Sequence, residues 1–280
     1  MEIGIAQGRM RALPKAQAPL RHSLATRLTH WVFSLSFVVL VMSGLQIFNA
    51  APYLDASELS NPAHRVLAIG TTTTASGATV GTTTILGHSF TTTGWLGVTA
   101  DGMGGTTERA FPGWITFPGY QDLADGRRWH FFFAWIMLAC GVVYLAAGGW
   151  RRDLAKLIVR PSDLRAAPLM ALYYLRLRKE PPPYEKYNPL QKIAYTSVLF
   201  VLTPLVILTG LVLSPGVDSA LPWLMWVFGG RQFARLWHFV SMLLLLGFLA
   251  NHLVLVAATG VVNNLRGMIA GRDPRDAVAP

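Results

Sequence analysis

LWHFVSMLLLLGFLANHLVLVAATGVV, residues 236–262, decides how the rest of the chain is read. It contains no Asp, Glu, Lys or Arg and is long enough to cross the hydrocarbon core of a bilayer as a helix, yet it holds two histidines, His238 and His252. Fourteen residues at 100° each leave the two imidazoles about 40° apart around the helix axis and roughly 21 Å apart along it. They share a face and sit near opposite membrane surfaces. A polar ring in an apolar helix is costly unless something receives it, so two on one face call for two receivers stacked across the membrane.

Three other runs are apolar enough to span: residues 28–48, 129–150 and 193–213. The 280-residue chain is 52% hydrophobic and 14% charged, and it gathers its apolar residues into these runs instead of alternating them. The expected fold class is an all-α membrane protein, a bundle of four transmembrane helices forming a single domain. The first twenty-odd residues are basic and rich in Pro and Ala without an apolar core, so the first span is expected to stay in the mature protein.

The net charge of +10 is explained by its distribution. Eighteen of the 24 Lys and Arg fall in residues 1–27, 151–192 and 263–280, which four spans place on one side of the membrane. The positive-inside rule makes that side cytoplasmic, with both termini and the 151–192 loop there, and leaves residues 49–128 as an enlarged outer connection. No basic module interleaved with aromatics accompanies the charge, which argues against nucleic acid as a partner.

The outer connection centres on TTTTASGATVGTTTILGHSFTTTGWLGVTADGMGG, residues 71–105. Its Thr, Val, Ile and Trp with Gly punctuation suit short strands and turns in a small outer cap, while a low-complexity insert is the other reading. On the cytoplasmic side, residues 151–164 suit a short surface helix, and prolines 181–183 stiffen the approach to the third span. Pro204 and Gly210 are its expected kink and contact points. Trp223 and Trp226 suit the outer interface, and the residues after Val262 a polar tail.

Four of the seven histidines lie in or at the mouth of a span: His30, His130, His238 and His252. The first span runs outward and the second and fourth inward, so His30 and His252 are at inner depth and His130 and His238 at outer depth. Depth pairs His30 with His252 and His130 with His238, and a flat macrocycle gripped by two opposed imidazoles fits each pair. The single cysteine, Cys140, excludes Cys-ligated iron-sulfur clusters and a CxxCH attachment, so the reading is two b-type haems held non-covalently. Gly44 lies fourteen residues after His30, on its face but at the opposite depth. It either makes room for a bulky group lying flat on the helix or packs a neighbouring helix. Gly141 and Gly148 open the face of His130 in the same manner. A transporter or proton channel with the histidines as a proton relay is the rival class, and an anchor without cofactor a third.

At these residues the chain resembles the four-helix di-haem cytochrome b subunits that anchor bacterial nickel hydrogenases, formate dehydrogenases and related reductases. The resemblance rests on RLTHW at 27–31, on Arg127-Arg128-Trp129-His130, on YNPLQK at 187–192, and on the spacing of His238 and His252. It covers the chain apart from the enlarged connection. The end of that connection, FPGWITFPGYQDLADGRRWHFFFAW at 111–135, is similar to the branch accompanying periplasmic molybdopterin oxidoreductases. The resemblance implies a quinone or quinol beside the inner haem, with Asn188 in the place of the asparagine that contacts it. As a residue before Pro189, Asn188 equally suits the N-cap of the third span. His22, His64 and His88 read as solvent-exposed loop residues.

Overall fold

The computed structural model describes residues 23–150, 154–184 and 187–271. The basic tail with His22, the start of the expected surface helix at 151–153, and the residues after 271 lie outside the described residues. Helix α1, Leu24–Phe48, starts four residues before the expected span because Ser23 caps it, its hydroxyl accepting from Thr26 N at 3.2 Å.

The segment after α1 folds as sheet, so the all-α class is corrected here: the Thr and β-branched content of 49–110 forms strands, with glycines at the turns. Strands β1 (Tyr53–Asp55), β2 (Arg65–Thr73), β3 (Thr79–Ile85) and β4 (His88–Thr91) make one antiparallel sheet in the order β1-β2-β3-β4. A hairpin of β5 (Gly97–Ala100) and β6 (Thr106–Arg109) packs on it. Gly97, at φ +79°, sits against the Gly70 carbonyl and the Gly81 backbone, an approach that a Cβ would obstruct.

This cap is joined to the helix ends by a shared core. Phe48 of α1 packs with Leu54, Ile69 and Ala110 of the cap. Arg109 is the polar hub: buried, it donates to Gln46 Oε1 and Thr116 Oγ1 at 2.9 Å and to the Gly119 carbonyl at 2.8 Å. Asn49 ties the same region to Phe111 through both its amide atoms.

Within the cap, the fully buried Asp55 accepts from Arg65 Nε at 2.9 Å, Asn61 N at 3.0 Å and Ser60 Oγ at 3.1 Å. Burial by itself pushes this carboxyl up, but those hydrogen bonds and the Arg65 charge together hold it below its usual range. A carboxylate depressed in the folded state adds stability that is complete above its unfolded value of about 3.9 and is lost as pH falls through the folded value. The cap is therefore expected to loosen only in acid below about pH 4, followed by tryptophan fluorescence. Arg65→Ala should cost about 1–3 kcal/mol at neutral pH by stranding the carboxylate, read as a lowered thermal midpoint.

Helix α2, Leu123–Trp150, returns across the bundle, and Asp122 Oδ1 accepts from Asp125 N at 2.9 Å at its start. The cytoplasmic helix α3, Pro161–Tyr174, begins later than expected, with Pro161 at its first position. The third span is α4 (Pro189–Ser197), a π-helical turn over Val198–Leu202, and α5 (Thr203–Leu213). The wide turn ends just before Pro204, whose missing N–H and ring displace the preceding turn. Short helices α6 (Pro215–Ala220) and α7 (Trp223–Val227) follow, with Trp223 and Trp226 exposed.

Helix α8, Arg231–Thr259, is the fourth span, and Gly260 at φ +104° ends it. The expected polar tail is instead helix α9, Val261–Ala270, an outcome of its periodic apolar face folding back on the bundle. Its Met268 carbonyl accepts from Trp31 Nε1 at 3.3 Å, and its Ile269 carbonyl accepts from Arg27. Among the described residues, four helices are long and apolar enough to cross a membrane. Backbone packing is closest within two pairs, α1 with α2 and α5 with α8. The line between those pairs is where the histidines face one another.

Candidate functional site

His130 on α2 and His238 on α8 approach with ring centroids 6.1 Å apart and planes at 62°. His30 on α1 and His252 on α8 stand 6.4 Å apart at 55°. The depth-matched histidines are thus brought face to face, one pair toward the cap and one toward the other end of the bundle.

Those separations have a chemical meaning. Two imidazoles bound to one metal ion through bonds of about 2.0 Å, each nitrogen about 1.1 Å from its own ring centre, put the centroids about 6.2 Å apart. Two imidazoles joined by a direct N–H···N hydrogen bond would sit closer, at about 5 Å. Among the described residues, no three His, Cys, Asp or Glu side chains gather as a metal cage. Two donors alone make a poor protein cage, whereas a macrocycle that brings its own four equatorial donors needs just two axial ones.

The outer pair lines a cavity of about 530 Å³, within the range of cofactor pockets. Its walls include Phe37, Leu40, Met137 and Leu245, and it carries the arginines 127, 231 and 235. Arg127 and Arg235 each lie one helical turn before a histidine, towards the cap. Arg235 lies over Phe48 at 5.5 Å and Tyr53 at 5.3 Å, and donates to the Ala51 carbonyl. Gln232 Oε1, on the same wall, is buried without a partner in the protein.

Two glycines keep the outer rings accessible. A Cβ on Gly44 would lie 3.4 Å from His130 Cε1, and one on Gly210 would lie 3.1 Å from His238 Cε1. Each follows a buried hydroxyl residue on the same helix. Ser43 Oγ is 3.1 Å from His130 Nδ1, and Thr209 Oγ1 is 3.1 Å from His238 Nδ1. Gly141 has open space at its Cβ position, but a Cβ on Gly148 would lie 3.0 Å from Leu154 Cγ, so this glycine makes room for the following turn instead of opening the His130 face.

The inner pair is bordered by aromatics. Phe248 stacks on His252 with centroids 6.1 Å apart and planes at 16°, and Trp31 stands edge-on to His30 at 5.2 Å. The large cavity does not reach these residues. Asn188 is buried and caps α4: its Oδ1 accepts from Gln191 N at 2.9 Å, and its amide donates to Tyr174 at 3.0 Å. One turn on, Lys192 pairs with Asp163 at 3.1 Å, both largely buried. His64 and His88 are exposed in the cap.

Sequence reasoning missed Ser43, Thr209 and the arginines of the cavity. A signal existed for the first two, since Ser43-Gly44 and Thr209-Gly210 are hydroxyl-glycine pairs in the outer halves of two spans. The arginines stand at the starts of α2 and α8, and only the fold turns them onto one cavity.

Residues 79–271 match the family model described as prokaryotic cytochrome b561. A curated protein of Azospira oryzae, provisionally named protein-methionine-sulfoxide reductase subunit YedZ1, is 26% identical over 247 residues, covering 88% of this chain and 93% of that one. No solved structure matches the chain.

Proposed function

Since the chain belongs to the prokaryotic cytochrome b561 family of membrane haem proteins, we propose that it is a di-haem carrier passing electrons between a quinone and a periplasmic oxidoreductase. The observation that carries this reading is the pair of imidazole separations, 6.1 and 6.4 Å, each close to what two axial ligands on one iron require. At the outer station His130 and His238 would hold the haem, with Gly44 and Gly210 leaving room beside their rings. Arg127, Arg231 and Arg235 would be available to the carboxylates of the macrocycle, for which guanidinium is the favoured partner. The unpartnered Gln232 Oε1 is a further polar atom on that wall.

At the inner station His30 and His252 are the ligands, screened by Phe248 and Trp31. With both axial positions filled, haem b supplies one-electron exchange and offers no site for oxygen or substrate. The protein's task is then to hold the two stations at fixed depth and keep water from them.

The positive-inside count supports an orientation with both termini and the loop around α3 in the cytoplasm, and the β-sheet cap in the periplasm of the inner membrane. Quinone is assigned to the inner side, near Asn188 and Tyr174, with the Lys192–Asp163 pair one turn away. The partner docks on the cap. A relative named as a reductase subunit supports an oxidoreductase there, and the similarity of residues 111–135 supports a molybdopterin enzyme.

Pyridine extraction and a reduced-minus-oxidised spectrum of the purified protein test the reading. About two haems b per chain are expected, and a preparation with one would remove one station. A colourless protein would return the histidines to a proton-relay role.

A further inference from the structure

We propose that Ser43 and Thr209 are positioning residues that fix His130 and His238 as Nδ1–H tautomers and thereby set the reduction potential of the outer station. This rests on the outer-haem reading. Ser43 Oγ lies 2.6 Å from the Val39 carbonyl, and Thr209 Oγ1 lies 2.7 Å from the Leu205 carbonyl, each one turn back on its own helix. A hydroxyl has one proton, and at those distances it is committed to the carbonyl. The oxygen can then act toward the imidazole at 3.1 Å only as an acceptor, so the proton of each ring must be on Nδ1. Nε2 is left with the lone pair a metal requires.

Both hydroxyls are fully buried, at 0% exposure, so water does not compete for the ring proton. The arrangement occurs twice, on different helices, each time with the glycine that leaves room beside the ring immediately after the hydroxyl. A histidine whose distal N–H is held by an acceptor is a more basic ligand, which favours the ferric over the ferrous state. The hydroxyls therefore hold the outer potential down, while their removal leaves the inner ligands untouched.

The test is a redox titration of the two haems, followed optically, with low-temperature EPR of the oxidised protein. The Leu40 and Val206 carbonyls also accept from these rings, so each substitution removes one of two acceptors: Thr209→Val keeps shape and removes the hydroxyl acceptor, Thr209→Ser keeps it, and Ser43→Ala tests the other ring. The expected result is a positive shift of the outer component in Thr209→Val and in Ser43→Ala, with a changed low-spin EPR signal. The inner component stays in place, and Thr209→Ser restores wild-type behaviour. Unchanged potentials and EPR in Thr209→Val with both haems bound would overturn the proposal while leaving the outer-haem reading intact. Equal behaviour of Thr209→Ser and Thr209→Val would also overturn it, by showing packing instead of hydrogen bonding. Outer-haem loss in Thr209→Val that Thr209→Ser prevents supports it. If wild-type protein lacks a haem that depends on His238, the parent reading fails first, and this proposal with it.

Discussion

Purified His238→Ala protein is expected to hold about one haem per chain where the parent holds about two, and the spectral component it loses should be the one lost in His130→Ala. His238 is one of two rings on α8, but its nearest imidazole is His130, 6.1 Å away on α2, and both line the same cavity. On the proposed reading, loss of either imidazole would leave a bound macrocycle held by one ligand and by the apolar and arginine-bearing walls of the cavity. His252 is fourteen residues further along α8 and pairs with His30 at 6.4 Å, so the inner component should survive. Loss of the inner component in His238→Ala would show that the two rings on α8 serve one site, contrary to the depth of the stations. The measurement is the low-temperature α-band of each variant with pyridine quantification. Far-ultraviolet circular dichroism should be unchanged, because the substitution leaves an alanine in the middle of a long helix.

The second large effect is expected from filling the space beside a ring without touching a ligand. At Gly210 the Cβ alone would approach His238 Cε1 to 3.1 Å, and at Gly44 it would approach His130 Cε1 to 3.4 Å. A leucine at either position adds three more carbons to that Cβ, directed into the 530 Å³ cavity. Gly210→Leu and Gly44→Leu should each lose most of the outer haem while the inner one remains, with Gly210→Leu the more severe because its starting contact is tighter. Gly141→Leu is the control: nothing lies within 4 Å of its Cβ position, and full haem content is expected. Full outer haem in Gly210→Leu would mean that the cavity is not where the macrocycle lies. A proton relay would predict no haem change in any of these variants, so the same series separates the two classes.

Several features of the site were legible because they depend on one helix at a time. RLTHW, Arg-Arg-Trp-His and the fourteen-residue interval in α8 place each imidazole at a depth and on a face through helical geometry alone. Gly44 was found the same way, and it faces His130 as its depth required. Asn188 had two readings, and the capping hydrogen bonds to Gln191 and Tyr174 are what the structure displays. The cap was partly legible: the β-forming composition was visible in residues 71–105, but its hub was not, since Arg109 meets Gln46 across 63 positions of sequence. The helix α9 was missed because a short amphipathic segment gains its stability from the surface it docks on, here the start of α1 with Arg27 and Trp31.

By itself the sequence determined that four runs are apolar and long enough to cross a membrane, that four histidines fall at two depths along them, and that Cys-ligated iron-sulfur clusters and a CxxCH attachment are excluded. These follow from hydropathy, helical pitch and the count of cysteines, all of which are properties along the chain. Tertiary structure decided what lies sideways: the 6.1 and 6.4 Å ring separations, the hydroxyls beside His130 and His238, and the three arginines gathered on one cavity. Pitch and hydropathy set the rotation and depth of a side chain, but its neighbour on the next helix depends on how the helices pack, which no interval within a single helix encodes.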